Sequence, residues 1–360
     1  MTMRQISIRP TWTIQAPDGP PLPPRLIELL VQVHATGTLA TAARALGLSY
    51  RHAWDLVRQG EAHFKAPLLH MARGKGSTLT SLGEKIVWAD HRIMARLKPA
   101  LDSLASELAT ELQRALSDQP PPLRIHASHG FAIERLIEQL GQQGLRPELT
   151  YASASAALAA LHDGDADLAG LHLPIGPLQG ELLGHYERWL PDEALTVIDI
   201  ARRRLGLMVR AGNPLGVLRV GDLARADVRF INRQSGSGTR MLLEALLRQE
   251  GLSPNDIAGF EQGEFTHAAV AAYVASGMAD AGFGLEPPAR QFGLDFIPVI
   301  SERYFLLCRT TALATPAVTK VVATLRDPAF RARLAALPGY DPADSGRTSD
   351  WTQAFGAASA

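Results

Sequence analysis

Apolar residues recur at helical spacing through the first quarter of the chain. Leu26, Leu29, Leu30 and Val33 line one face of a predicted helix over 25–36, because residues three and four apart share a helix face. Leu39, Ala42, Ala43 and Leu46 line a second, short helix, and Ala53, Trp54 and Val57 a third. Thr38 and Ser49 stand where N-caps belong, each hydroxyl placed to accept an orphan N–H of the first turn. Gly47 suits the left-handed residue that ends a helix. Upstream, Ile6, Ile8, Trp12 and Ile14 alternate with polar residues and predict a strand, followed by a stiff proline-rich loop from Pro17 to Pro24.

After the third helix the rhythm changes. Pro67 to His70 and Thr78 to Thr80 predict two strands around a basic tip, Arg73-Gly74-Lys75-Gly76, which makes a hairpin. From Ser81 to Ser117 a long helical segment carries Ile86, Val87, Ile93, Met94, Leu97, Leu101, Leu104, Leu108 and Leu112. Pro99 should kink or break it, and the run from Ser117 to Pro122 reads as a linker. A small head cannot cover so long a stripe, so a second copy is expected to pack on it. From Leu123 onward short strands (123–127, 149–152, 166–172, 205–209, 228–231) alternate with helices (133–140, 155–161, 241–248). Such alternation predicts an α/β fold with ligands at the carboxyl ends of the strands.

Charge sharpens the picture of the first part. Between Arg25 and Lys98 there are eleven basic and five acidic residues, while the 360-residue chain as a whole is neutral. A local positive field on a neutral protein suits contact with a nucleic acid and excludes nonspecific coating of it. Tyr50, Arg51 and His52 stand at the exposed start of the third helix, behind Ser49, and Arg73 and Lys75 at the hairpin tip are placed for phosphate. The single cysteine, Cys308, sits in an apolar run and reads as an inert buried thiol. No signal-peptide core and no uncharged stretch long enough for a bilayer is present, so a cytoplasmic protein without membrane contact is expected.

The chemistry of the second part concentrates in one loop. Strand Val228–Asn232 is followed by Arg233-Gln234-Ser235-Gly236-Ser237-Gly238-Thr239-Arg240 and a helix. Glycines that admit a ligand to the backbone, hydroxyl donors and a helix N-terminus favour an anion. Arg233 and Arg240 can balance its charge. The lysine–hydroxyl ending of a nucleotide loop is missing. Ser128 and His129, then Ser153 and Ser155, follow other predicted strands, and His172 ends a third. No His or Cys pair has metal-ligand spacing and no catalytic triad stands out, so neither an enzyme nor a catalytic cofactor is expected.

Two resemblances follow from these residues. Gly37-Thr38-Leu39, Leu48-Ser49-Tyr50-Arg51-His52-Ala53-Trp54-Asp55 and the tip Arg73 to Gly76 with Leu79-Thr80 resemble the winged helix-turn-helix of the ModE-type molybdate-responsive repressors. LysR-type regulators carry a related domain. Asn232-Arg233 with Gly236 to Arg240, Gly277 to Gly284 and Asp167 to Leu173 resemble the bilobed type 2 periplasmic-binding-protein fold, in the form found fused to winged-helix or molybdopterin-biosynthesis modules. The small β-barrel domains with which ModE senses molybdate are not found here.

The resemblances imply an α/β architecture: a winged helix-turn-helix DNA-binding domain over 1–80, a connector helix and linker over 81–122, and a periplasmic-binding-protein-like sensor over 123–360. They imply a one-component transcription regulator, dimeric or a dimer of dimers, on double-stranded DNA. Thr38, Ser49, Tyr50, Arg51, His52, Arg73 and Lys75 are the expected DNA contacts. Ser128, Ser153, Ser155, Ser237, Thr239 and Arg240 are expected around a small anion, with His129, His172, Asn232, Arg233, Ser235, Gly236 and Gly238 beside them. By resemblance the effector is molybdate or tungstate, with a molybdenum-cofactor species or another anionic metabolite as the alternative. An enzyme of molybdenum-cofactor assembly and a transporter's solute-binding protein are the other classes; the first lacks a paired acid and base, and the DNA-binding head argues against the second.

Overall fold

A computed structural model describes residues 6–17, 19–72, 76–116, 122–190 and 194–356. The described residues divide into two compact units, 9–96 and 97–356, with 6–8 belonging to the second. The division falls inside a single long helix.

In the first unit, helices α1 (Pro24–Thr36), α2 (Leu39–Ala45) and α3 (Tyr50–Phe64) pack around Leu26, Leu30, Leu39, Ala53 and Val57. Both expected caps form: Thr38 accepts from Thr41 N and Ser49 from His52 N. Strands β1 (Leu69–Ala72) and β2 (Gly76–Leu79) pair antiparallel as the wing. Gly76 has φ +89°, and a Cβ on it would lie 2.7 Å from Gly37 O, so a side chain there would push the wing off the α1–α2 corner. The expected N-terminal strand is not formed. Only an isolated bridge joins Gln15 and Pro21. Proline-rich chain offers few N–H groups for a ladder, and Trp12 instead anchors the segment by donating from Nε1 to Asp90 at 2.9 Å.

Helix α4 (Ser81–Leu116) runs continuously through Pro99, so the expected break does not occur. Helix continues on both sides of Pro99 within the 36-residue span, so the lost backbone donor and the ring clash are borne without a break. The expected linker lies almost wholly outside the described residues.

The second unit is built on one sheet. Its elements are β3 (Arg124–Ala127), α5 (Phe131–Gln142), β4 (Glu148–Tyr151), α6 (Ala154–Asp163), β5 (Leu168–Pro174), α7 (Gln179–Gly184), β6 (Leu195–Val209), β7 (Phe230–Arg233), α8 (Gly238–Gln249), β8 (Gly263–Glu264), α9 (His267–Ala275), β9 (Ala281–Leu285), α10 (Glu286–Gln291), β10 (Asp295–Arg309), α11 (Pro316–Arg326), α12 (Pro328–Ala335), β11 (Tyr340–Asp341), β12 (Thr348–Asp350) and α13 (Trp351–Phe355). Strand order is β4-β3-β5-β10-β6-β9-β7-β8, with β11 and β12 also on β6. The long antiparallel pair β6 and β10 runs through both lobes. On one side it continues into β5 and the parallel strands β3 and β4, on the other into β9 and the parallel strands β7 and β8.

Apolar packing follows this division. Ile125, Leu136, Leu306 and Phe330 belong to the core of the first lobe, Met208, Ile231, Val270 and Val274 to that of the second, and a larger cluster including Leu171, Leu207, Phe283 and Phe305 is common to both. Cys308 is fully buried, its thiol pushed up to about 12 by burial, as expected of an inert cysteine. No single helix among the described residues is long and apolar enough to cross a membrane.

Candidate functional site

The head presents Ser49, Tyr50, Arg51 and His52 together at the exposed first turn of α3, with Thr38 half-buried at the start of α2. Arg73 and Lys75 lie outside the described residues. Ala53, Leu56 and Val57 bury the opposite face of α3, which leaves its start free to enter a groove.

In the second unit the strand ends converge where β6 and β10 pass between the lobes. Arg203 lies opposite Glu302 across the β6–β10 pair, both almost fully buried. Arg203 Nε donates to Glu302 Oε1, and His172 Nδ1 on β5 lies 3.0 Å from Glu302 Oε2. Burial alone would raise the Glu302 carboxyl; Arg203, then His172, overcome it and hold its pKa at about 2. The Arg203 guanidinium also lies 4.4 Å from the centre of the Tyr304 ring. Its Nη1 would be 3.5 Å from a Cβ on Gly130, which puts Arg203 under the loop Ser128-His129-Gly130.

The glycine-rich loop closes on this cluster from the other lobe. A Cβ at Gly238 would lie 2.8 Å from His172 Cε1 and 3.2 Å from the Tyr186 hydroxyl, so glycine is what lets α8 begin against β5. Ser237 caps α8, its hydroxyl oxygen accepting from Arg240 N. Ser153 caps α6 in the same way, accepting from Ala156 N, and stands 3.2 Å from the Ser155 hydroxyl. Pairing of β3 with β4, continued by Ala152 N to Ala127 O, sets Ser153 beside Ser128. Thr266 caps α9, whose first residue is His267. Burial, then Arg233 and Arg203, push His267 well below its usual pKa, and its Nδ1 accepts from Leu285 N. The structure thus brings His172, Arg203 and Glu302 together, with Gly130 and Gly238 against them; Ser128, Ser153, Ser155, Ser237 and Thr239 stand at strand-to-helix junctions, and Arg203, His267 and Glu302 are three groups that the sequence reasoning missed.

The two predicted arginines separate. Arg240 was expected to hold the anion, but its side chain runs along α8. Nε donates to Glu244 at 3.1 Å, and Nη2 to both oxygens of Glu261 at 3.0 and 2.9 Å. Spacing i to i+4 on one helix face explains the first pairing. With two carboxylates on it, Arg240 is neutralised. Arg233, by contrast, is buried and donates to the carbonyl oxygens of Glu264 (3.3 Å) and Phe265 (2.7 Å), and no carboxylate among the described residues pairs with it. Burial, then the nearby Arg203, lower its pKa to about 10. Asn232 is a strut: Nδ2 donates to Phe260 O and Oδ1 accepts from Arg233 N, so both ends are used internally. Ser235 and Gly236 are exposed on the loop crest, where Gly236 takes φ +76°. His129 faces Glu134 and the Tyr151 ring.

The two units correspond to two known modules. Residues 137–326 match the PBP superfamily domain, and residues 24–84 match the bacterial regulatory helix-turn-helix protein, lysR family. The chain belongs to the PBP superfamily and is a LysR-type DNA-binding transcriptional regulator with a PBP-like ligand-binding domain. It is 31% identical over 247 residues to the uncharacterised protein YvgK of Bacillus subtilis (strain 168), covering 68% of this chain and 78% of that one. It is 36% identical to the molybdenum-pterin-binding protein MopB of Rhodobacter capsulatus over 30% of this chain and 41% of that one. To the transcriptional regulator ModE of Yersinia pestis it is 30% identical over 23% of this chain and 34% of that one.

Proposed function

We propose that the cleft between the lobes binds a small, fully deprotonated oxyanion, molybdate or tungstate, and that this ligand regulates DNA binding by a dimer. The observation that carries the reading is the charge at the hinge. Arg203 and Arg233 face a single carboxylate, Glu302, and His267 is held neutral. One positive charge is left over in a buried setting, and a bound anion would compensate it. Three helix N-termini capped by Ser153, Ser237 and Thr266 add partial positive charge.

The polar shell also distinguishes among oxyanions. Ser153 and Ser237 already accept a helix N–H, so their hydroxyl protons are what they offer a ligand. Both oxygens of Glu302 are taken by Arg203 and His172. A shell of donors suits molybdate, tungstate or sulfate and disfavours hydrogen phosphate, whose own O–H needs an acceptor. The distant similarity to MopB and ModE favours the metal oxyanions within that group, and the name of MopB makes a molybdenum-bearing pterin the second reading.

The functional division that goes with this is a DNA-binding head over 1–80, a connector over 81–122 and a sensor over 123–360. Leu97, Leu104, Leu108 and Leu112 are 40–54% exposed on α4, spaced seven and four apart on one face. They form the surface for a second copy of this chain. Calorimetry of the full chain with molybdate, tungstate, sulfate and phosphate tests the ligand. Binding of the first two and none of phosphate is expected; tighter binding of phosphate would refute the donor-shell argument. Sedimentation tests the dimer, and a monomer at micromolar concentration would refute it.

A further inference from the structure

The second half of α4 lies against the edge of the sheet. Strand β4 is the outermost strand of the first lobe, so its outward N–H groups need partners. Ser106 Oγ accepts from Leu149 N at 2.8 Å, and Ser103 Oγ accepts from Tyr151 N at 2.9 Å. Two hydroxyls one helix turn apart thus serve two N–H groups two residues apart on the strand, immediately before the Ser153 cap. One turn back on α4, the Lys98 ammonium pairs with Asp102 and lies 3.4 Å from Glu134 Oε1 on α5. The same Glu134 oxygen lies 3.0 Å from His129 Nε2, in the loop after β3.

Ligand atoms of Asp102, Glu134 and His129 all lie within 4.8 Å of one another. They would make a cation site, except that the chain supplies its own cation, Lys98. Burial raises the Glu134 carboxyl, but His129, then Lys98, overcome it and keep the group ionised. The His129–Glu134 pair meets at ion-pair distance without the angles of a hydrogen bond, leaving both atoms buried and unbonded. A 3.0 Å contact that lacks hydrogen-bond angles is one that a small movement of the 128–130 loop makes or breaks.

We propose that His129, Glu134 and Lys98 form a relay from the ligand loop to the connector helix, with Ser103 and Ser106 clamping that helix to the sheet edge. An anion drawing on Ser128 would shift His129, change its hold on Glu134 and so alter how firmly Lys98 pins α4. Glu134 and Lys98 are positioning residues in this scheme; neither is part of the ligand shell. The inference rests on the cleft being the ligand site, but the relay makes a prediction that needs no ligand.

Amide hydrogen exchange on the full chain reads the clamp directly. Ser103→Ala/Ser106→Ala should speed exchange at Leu149 and Tyr151 at least tenfold. Glu134→Gln should speed exchange at the same two amides, although it bonds to neither. Unchanged protection at Leu149 and Tyr151 in Glu134→Gln would overturn the relay whatever the ligand proves to be. With sodium molybdate as the probe, Lys98→Met should bind it within threefold of the parent yet lose most of the molybdate-dependent change in DNA affinity. A full change retained in Lys98→Met would also overturn the relay. Failure of the parent to bind molybdate would refute the oxyanion reading instead and leave the exchange experiment to decide.

Discussion

Replacing Arg233 with Met separates the cost of a buried charge from its use. Among the described residues the guanidinium bonds to carbonyl oxygens, and burial, then Arg203, lower its pKa to about 10. That shift corresponds to about 3 kcal/mol against the charged form. Methionine removes this penalty and fills a similar volume. It also leaves Phe265 O without its partner, whereas Glu264 O still accepts from Gln234 N at 3.0 Å. One buried carbonyl left unbonded costs about 1–3 kcal/mol. The two effects largely offset each other, so without ligand the variant should unfold in urea no more easily than the parent and at most about 2 kcal/mol less easily. Arg203→Met is the contrast, because it strips the buried Glu302 of its main partner; breaking such a pair costs about 3–5 kcal/mol. Binding should behave the other way round for Arg233. Loss of a charge-assisted bond of about 1.5–3 kcal/mol weakens molybdate roughly ten- to hundred-fold. Arg240→Ala, already neutralised by Glu244 and Glu261, should cost less than about threefold. Calorimetry and urea melts on the three variants decide. If Arg240→Ala weakens binding as much as Arg233→Met, or if Arg233→Met is as destabilising as Arg203→Met, the charge assignment is wrong.

Gly238→Ala places a methyl 2.8 Å from His172 Cε1 and should lower the melting temperature through about 1–3 kcal/mol of overpacking; an unchanged melting curve would mean that α8 does not start against β5. Arg51→Ala at the exposed start of α3 should weaken specific DNA binding by about 1–3 kcal/mol and nonspecific binding much less, which gel shifts on operator and scrambled DNA measure. Glu302 has its pKa depressed to about 2 from 4.5, so as pH falls the unfolded chain takes up the proton first. The stabilisation of about 3 kcal/mol is complete above about pH 4.5 and lost between about 4.5 and 2; urea melts of Glu302→Gln should show that slope flattened, and an equally steep slope in the variant would contradict the pairing.

The head was legible because its determinants are local. Caps at Thr38 and Ser49, the 3.6-residue repeat of Leu26, Leu30 and Val33 and the glycines of the wing act over a few residues. The strand expected over Ile6 to Ile14 failed for a reason that alternation alone does not carry: a strand needs a neighbour with free N–H groups, and the prolines nearby provide few. At Pro99 local propensity lost to context, because helix is supported on both sides of it.

The cleft was half legible, and the missing half has a common cause. Ser153, Ser237 and Gly238 could be put forward from sequence because each sits at a strand-to-helix junction, a feature of contiguous sequence. Arg203 and Glu302 are 99 positions apart, and only the antiparallel register of β6 on β10 brings them together. Each nevertheless left a mark: Arg202-Arg203-Arg204 break the largely apolar, buried strand β6, and Glu302-Arg303 stand where the buried half of β10 begins. Charges in the middle of a central strand must be paired or used. Alternation decides which of them face the cleft, since Arg203 and Glu302 point to one side while Arg202 reaches out to Asp344. The pairing of Arg240 was hidden for the complementary reason. Its position at the start of α8 is right for an anion, but Glu244 one turn on and Glu261 from the neighbouring loop reach it first. A cation's place in a motif says where it starts; its nearest carboxylates say whether any charge is left to offer. By that criterion Arg233, with which no carboxylate pairs among the described residues, is the better candidate for the role proposed above, and Arg240 the weaker one.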